Sequence, residues 1–286
     1  MHVPGTIDSH VHFWDPGRLD YPWLAGEPDL SRRFVPDDLD TGGVALEGLV
    51  FVQADCRAEQ AADEVAWVRS LVEGGTPVLG IVAHAPLETG SACRAVLATY
   101  AADPLVVGVR RLVQDEPAGF ALCPEFVEAV RLLPDFGLSL DLCIRAHQLG
   151  EVTRLVEMCP EVTFVLDHLG KPPVTGGDLG PWTDDLVRLA ELPHVACKLS
   201  GLASEANPPA RTSRVLLPYL EHALETFGPD RCLFGSDWPV SRPVVDYRAW
   251  HDLVVAACAR WGADGRAEVL SGNARRIYGL PTQEGG

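Results

Sequence analysis

Two histidines two residues apart, His10 and His12, sit in the segment IDSHVHFWDP near the start of the chain. On an extended strand that spacing turns both imidazoles to one face, a good bite for a divalent metal. His168 closes the apolar run VTFVLDH and Asp237 closes RCLFGSD, and the two could complete such a site. An equally good reading is metal-free: the histidines hydrogen-bond a substrate carboxylate or orient Asp237. Other apolar runs also end in polar groups, namely Gln53, His84, Arg110, Asp141, Arg145 and Lys198. Arg111, Lys171 and His147 fit solvated rim positions as well as a site.

The chemistry these types can perform is attack of water on a carbonyl. A free carboxylate has a pKa near ~4 and is ionised at neutral pH, so Asp237 can act as general base. His168, Arg110 and Lys198 can polarise the carbonyl, and His168 can relay a proton. Gln53, His84, Asp141 and Arg145 suit substrate binding. Trp14, Trp23 and Trp238 offer apolar faces for a sugar ring, although packing of a loop on the core accounts for them at least as well. No G-x-S-x-G occurs, and strand parity turns Cys197 away from Lys198, so covalent catalysis is not expected.

Strands must carry these groups to one place. Apolar runs rich in Val, Leu, Ile and Phe fall at 6–13, 47–53, 78–84, 105–112, 137–145, 162–168, 194–200 and 231–237. Amphipathic stretches follow them at 58–73, 90–102, 121–134, 146–158, 182–192, 213–227, 243–261 and 264–278. Eight strand–helix units predict an α/β protein with a (β/α)8 TIM barrel, a fold of roughly 250 residues. The 286 residues form one domain, 1–286, with no linker or repeat. Connections 14–45, 170–181 and 201–212 are long, and each follows a strand, which places them over the barrel's C-terminal mouth.

Composition narrows the partners. The net charge is −17, with 40 acidic residues against 23 basic, so nucleic acid and anionic membranes are not expected partners. No run of about 18 apolar residues and no basic-then-apolar leader is present, which predicts a cytoplasmic protein. The eight cysteines are scattered without a C-x-x-C pair, as expected of reduced thiols. Arg110, Arg145, Lys171 and Lys198 would make the mouth locally cationic, suited to a small anionic or sugar-lactone substrate.

IDSHVHFWDP with YPWL, FVQADC, GVRRLVQDEP, LDLCIRAHQL, FVLDHLGKPP, CKLSGL, LFGSDWPV and GNARRIYGL follow one another nearly end to end. In that order they resemble the amidohydrolase superfamily (amidohydrolase-related, amidohydrolase 2), in the branch of sugar-acid lactonases acting on fucono- and rhamnonolactones. The resemblance implies a metal-dependent or metal-independent hydrolase on the barrel, of the metal-dependent-hydrolase fold type, opening a lactone ester with water activated by Asp237. It also implies one divalent metal at His10, His12 and Asp237, zinc by first choice, or else no cofactor. A two-metal version would need a lysine on the fourth strand, where this chain has Arg110. His147 and His84 depart from the branch pattern and bear on substrate identity. A metal-dependent decarboxylase of the same superfamily and a non-catalytic sugar-acid binder are the alternatives. A homo-oligomer is compatible with either.

Overall fold

The computed structural model describes residues 5–174 and 179–281. Eight parallel strands follow chain order: β1 (Thr6–Val11), β2 (Leu46–Val52), β3 (Val78–His84), β4 (Val106–Arg110), β5 (Ser139–Leu142), β6 (Phe164–Leu166), β7 (Val195–Leu199) and β8 (Cys232–Phe234). A parallel bridge between Val11 and Trp238 closes the sheet on itself. Two backbone bonds fasten that seam, His12 N–H to the Trp238 carbonyl at 2.7 Å and Asp237 N–H to the His10 carbonyl at 2.9 Å. The expected (β/α)8 barrel is the fold.

Helices cover the outside: α1 (Ala61–Glu73), α2 (Arg94–Ala101), α3 (Pro124–Leu132), α4 (Leu149–Met158), α5 (Pro181–Ala190), α6 (Ser213–Phe227), α7 (Tyr247–Ala257), α8 (Gly262–Ala267) and α9 (Asn273–Tyr278). Apart from Leu46, Glu47, Leu79, His84 and Val107, the strand residues are buried on both faces, which is why the strands read as largely apolar runs. On β2, Leu49 and Phe51 pack against the helices while Val50 and Val52 fill the barrel. Ile7, Val82, Val165, Ala196 and Leu233 join them inside, and Tyr278 of α9 enters the same cluster. In α4 the buried residues Leu149, Val152, Leu155 and Val156 repeat at helical spacing, giving one stripe against the barrel. Burying each such side chain contributes about 1.5–3 kcal/mol. No helix among the described residues is long and apolar enough to cross a membrane.

Several expected boundaries move for backbone reasons. β6 and β8 stop short because His168 (φ 52°) and Asp237 (φ 59°) adopt the left-handed conformation, which no strand accommodates. β5 likewise ends at Leu142, so Arg145 lies on the following turn. The helix expected from 90 begins at Arg94, after Gly90 at φ 62°. The stretch expected at 264–278 contains a π turn, Glu268–Gly272, between α8 and α9. On β1, the four residues from Asp8 to Val11 face the three from Leu49 to Phe51. This bulge reverses the side-chain alternation. Asp8 therefore points outward, to the Tyr247 hydroxyl at 3.0 Å, while His10 and His12 point inward.

The long connection 14–45 folds over the mouth through an aromatic cluster. Trp14 contacts Trp23 and Phe34 edge-on at 5.2 and 5.3 Å, and Phe34 meets Trp238 at 5.8 Å. The Trp14 indole N–H donates to the Arg32 carbonyl at 2.8 Å, so its polar atom is satisfied within the loop. Residues 175–178 of the connection 170–181 lie outside the described residues.

Candidate active site

At the C-terminal mouth of the barrel lies a cavity of about 270 Å³. That is the small end of the ~300–1,000 Å³ typical of small-molecule sites, a volume for a single ring and not a polymer. His12, Arg110, His168, Lys171 and Asp237 reach its wall, together with Asp55. Four of these, Asp55, His168, Lys171 and Asp237, have positive φ. Strained backbone of this kind persists only where the surroundings enforce it, and it concentrates at functional sites.

The Asp237 carboxylate is the meeting point. Its Oδ1 lies 3.5 Å from His12 Nε2, 3.8 Å from His10 Nε2 and 3.9 Å from His168 Nε2. His10 and His12 approach each other at 3.1 Å between Nε2 atoms. His12 Nδ1 is 2.7 Å from the Val52 carbonyl, so Nδ1 carries the proton and Nε2 offers its lone pair inward. His168 Nδ1 is held by Ser200 Oγ at 2.9 Å. Burial pushes the His168 pKa down to about 4, against the opposing pull of Asp237 and Asp167. Burial likewise holds His10 well below the ordinary imidazole range, although Asp167 works against it. For Asp237 burial acts upward, but His168, His12 and Lys171 outweigh it and keep the carboxyl below its usual value. The result is an ionised carboxylate beside neutral imidazoles.

Beneath this cluster runs a buried ionic chain. Asp167 Oδ1 approaches His10 Nδ1 at 3.2 Å and Lys198 Nζ at 3.1 Å, and its Oδ2 accepts from Arg110 at 3.1 Å. Lys198 Nζ also meets Asp141 at 2.5 Å and His10 Nδ1 at 3.1 Å. The Tyr278 hydroxyl spans both Asp141 oxygens at 3.0 and 2.9 Å. For Asp167 burial acts upward too, but Lys198, His10 and Arg110 together hold it well below the normal carboxylate range. The chain fixes His10 from behind, as the outer partners of a ligating histidine do.

The amidohydrolase family profile matches residues 7–280. The chain belongs to the amidohydrolase family. It is 33% identical to an L-fucono-1,5-lactonase of Burkholderia multivorans, covering 96% of each chain. It is 31% identical to an L-fucono-1,5-lactonase of Burkholderia ambifaria, over 98% of this chain and 97% of the other. A solved amidohydrolase from Burkholderia multivorans with bound zinc superimposes with a TM-score of 0.85 at 33% identity, covering 97% of this chain and 100% of that one.

In this amidohydrolase, His10, His168 and Asp237 bring ligand atoms within 4.8 Å of one another. His12 Nε2 lies 3.1 Å from His10 Nε2 and 3.5 Å from Asp237 Oδ1, close to the edge of about 3.4 Å that a tetrahedron with zinc bonds of ~2.1 Å requires. Two neutral-leaning imidazoles, a third with its Nδ1 proton committed elsewhere, and one carboxylate form a donor set that fits a divalent ion.

Of the residues anticipated from sequence, His10, His12, Arg110, His168 and Asp237 converge. Lys198 and Asp141 are fully buried below the cavity and do not line it. Gln53 is buried too: its side-chain oxygen accepts the Asp55 N–H at 2.7 Å and its carbonyl accepts from Arg110 at 2.7 Å. His84 shares the inward parity of β3 but stands outside the cavity lining. Arg145 is 45% exposed at the rim and pairs with Asp115 at 2.8 Å. Trp14 and Trp238 pack the loop onto the barrel, and Trp23 alone of the three reaches the cavity wall.

The expected cationic mouth is absent from the lining, which holds four carboxylates (Asp55, Asp115, Glu205 and Asp237) against Arg110 and Lys171. Lys198 is sequestered, and Lys171 is engaged by Gln114 at 2.6 Å and Glu205 at 3.3 Å. Sequence reasoning passed over Asp167, Tyr278, Asp55 and Glu205. For Asp167 a signal existed, a charged residue interrupting the apolar run VTFVLDH. For the others none did, since long-range folding sets their partners.

Proposed function

We propose that this amidohydrolase hydrolyses the lactone of a sugar acid, with Asp237 as the base. The observation that carries this reading is the Asp237 carboxylate: ionised, exposed to a ring-sized cavity, and ringed by three imidazoles at 3.5–3.9 Å. The named activity of the two fuconolactonase relatives supports it over decarboxylation.

A lactone is a cyclic ester, so its opening needs a nucleophilic water, relief of charge on the carbonyl oxygen and a proton for the departing alkoxide. Asp237 accepts the water proton and returns it to the ring oxygen, a single carboxylate serving as base and then acid. Arg110 presents its guanidinium at the cavity wall, with a buried Nε–H that has no partner among the described residues. That donor is available to a developing oxyanion. His168 is neutral and can shuttle the proton. Lys198 acts from behind, by fixing His10 and Asp167, and Gln53 acts by holding the Asp55 turn. A zinc ion held by His10, His12, His168 and Asp237 would lower the pKa of water and polarise the carbonyl.

The same reading takes the whole chain, 1–286, as one catalytic domain acting on a small molecule in the cytoplasm, as a homo-oligomer. Eight unpaired cysteines, six of them buried, suit a reducing compartment. A panel of aldonolactones assayed for acid release, with and without chelator, tests the function. Acid release from at least one member is expected. CO2 release from a hydroxybenzoate in its place would assign the chain to decarboxylation.

A further inference from the structure

We propose that Asp55 is the residue that selects the substrate, accepting hydrogen bonds from ring hydroxyls and turning away lactones that carry a second anionic group. The inference rests on the lactonase reading and goes beyond it by naming what the pocket recognises.

The cations at the mouth are committed except at the Arg110 Nε–H, the donor assigned above to the oxyanion. Arg110 donates to the Asp167 carboxylate at 3.1 Å and to the Gln53 carbonyl at 2.7 Å. Lys171 is engaged by Gln114 and Glu205, and Arg145 by Asp115. Away from that donor, a carboxylate or sulfonate substituent on the substrate would find no unpaired positive partner among the described residues. The carboxylates differ. Asp115 and Glu205 have their cations, and Asp237 lies among the histidines. The Asp55 carboxylate, on the cavity wall, has neither hydrogen bond nor ion pair among the described residues.

Its backbone is held by hydrogen bonds on and behind the cavity wall. The Asp55 N–H is held by Gln53, the Ala54 N–H by the buried Glu64 carboxylate at 3.2 Å, and the Ala54 carbonyl by the Trp23 indole at 2.8 Å. Asp55 itself sits at φ 57°. An ionised carboxylate is acceptor-only, and its hydrogen bonds from neutral O–H donors are charge-assisted. Ring hydroxyls of a sugar lactone supply such donors, while a carboxylate at the same place supplies only repulsion.

The test compares wild type with Asp55→Asn on three lactones of one ring stereochemistry: the neutral aldonolactone, its deoxy analogue lacking one ring hydroxyl, and the aldarolactone bearing a carboxylate. Wild type should prefer the neutral lactone over the aldarolactone by roughly 100-fold in kcat/KM, and Asp55→Asn should lose about 10–100-fold on the neutral one, through KM. Its preference over the aldarolactone should narrow by about tenfold, and one deoxy analogue should be hydrolysed alike by both proteins. An unchanged KM, a uniform fall in kcat on every lactone, or a wild type that favours the aldarolactone overturns the proposal. If no lactone is hydrolysed the lactonase reading fails, and calorimetry with the neutral and carboxylated lactams decides the role of Asp55. Tighter wild-type binding of the neutral lactam, weakened about tenfold by Asp55→Asn, supports it. Equal binding, preference for the carboxylated lactam or no binding overturns it.

Discussion

Glu64, on α1, is the acid whose substitution should raise stability. It is 1% exposed, and burial pushes its carboxyl from 4.5 up to about 7 despite the Ala54 N–H it accepts. The folded protein thus binds this proton more tightly than the unfolded chain does. Between pH 4.5 and 7 the native state carries the extra proton, so stability falls as pH rises through that window and the full cost is present above pH 7. A gap of 2.5 pKa units corresponds to about 3 kcal/mol at 1.36 kcal/mol per unit. Glu64→Gln keeps an oxygen for Ala54, adds a donor beside the buried Tyr21 hydroxyl, and removes the ionisation. The variant should gain about 3 kcal/mol over wild type at pH 8 and well under ~1 kcal/mol near pH 4.5. In thermal melts the gain at pH 8 corresponds to about 6 °C for a chain of this size. Melting both proteins at half-unit steps from pH 4.5 to 8.5 measures it. A gain that is flat with pH, or a loss at pH 8, refutes the argument that burial makes this carboxylate costly.

Asp237→Asn should lower kcat about 10²–10⁴-fold while a lactam analogue still binds, as read by steady-state kinetics beside calorimetry. Turnover within tenfold of wild type would require another base. Lys198→Met leaves Asp141 and Asp167 facing each other without their shared cation. Urea unfolding should show a loss of about 3–5 kcal/mol, and a loss below ~1 kcal/mol would mean the chain of charges is not a structural unit. Dialysis against a chelator should strip a divalent ion, counted by elemental analysis, and with it most of the activity, which added zinc restores. Full activity in metal-free protein would leave the histidines as hydrogen-bonding groups around Asp237.

Strand order and the convergence of His10, His12, Arg110, His168 and Asp237 were legible in the sequence because a parallel barrel imposes a simple rule. Apolar runs mark the strands, and the polar residue at each tip faces the mouth. The rule misleads where the backbone departs from it. The bulge in β1 sends Asp8 outward although it shares parity with His10 in the sequence. Left-handed turns at His168 and Asp237 end strands that composition would continue. Depth is the second thing the rule lacks. Lys198 and Asp141 occupy inward positions, but one layer lower, where they meet each other and not a ligand. Charge at the mouth was the third difficulty, since whether Arg145 or Lys171 is available depends on Asp115 and Glu205, which come from other loops.

The hydroxyl of Tyr278 completes the partners of Asp141 across 137 residues of chain. A nascent polypeptide can therefore lay down all eight strands and still hold a half-satisfied acid at its centre until residue 278 has cleared the ribosome. The charge of this acid is met within the sheet by Lys198, while its remaining hydrogen bonds depend on α9. An interrupted translation product that stops before that helix would look barrel-like from outside yet remain soft within, a ready target for cellular proteases.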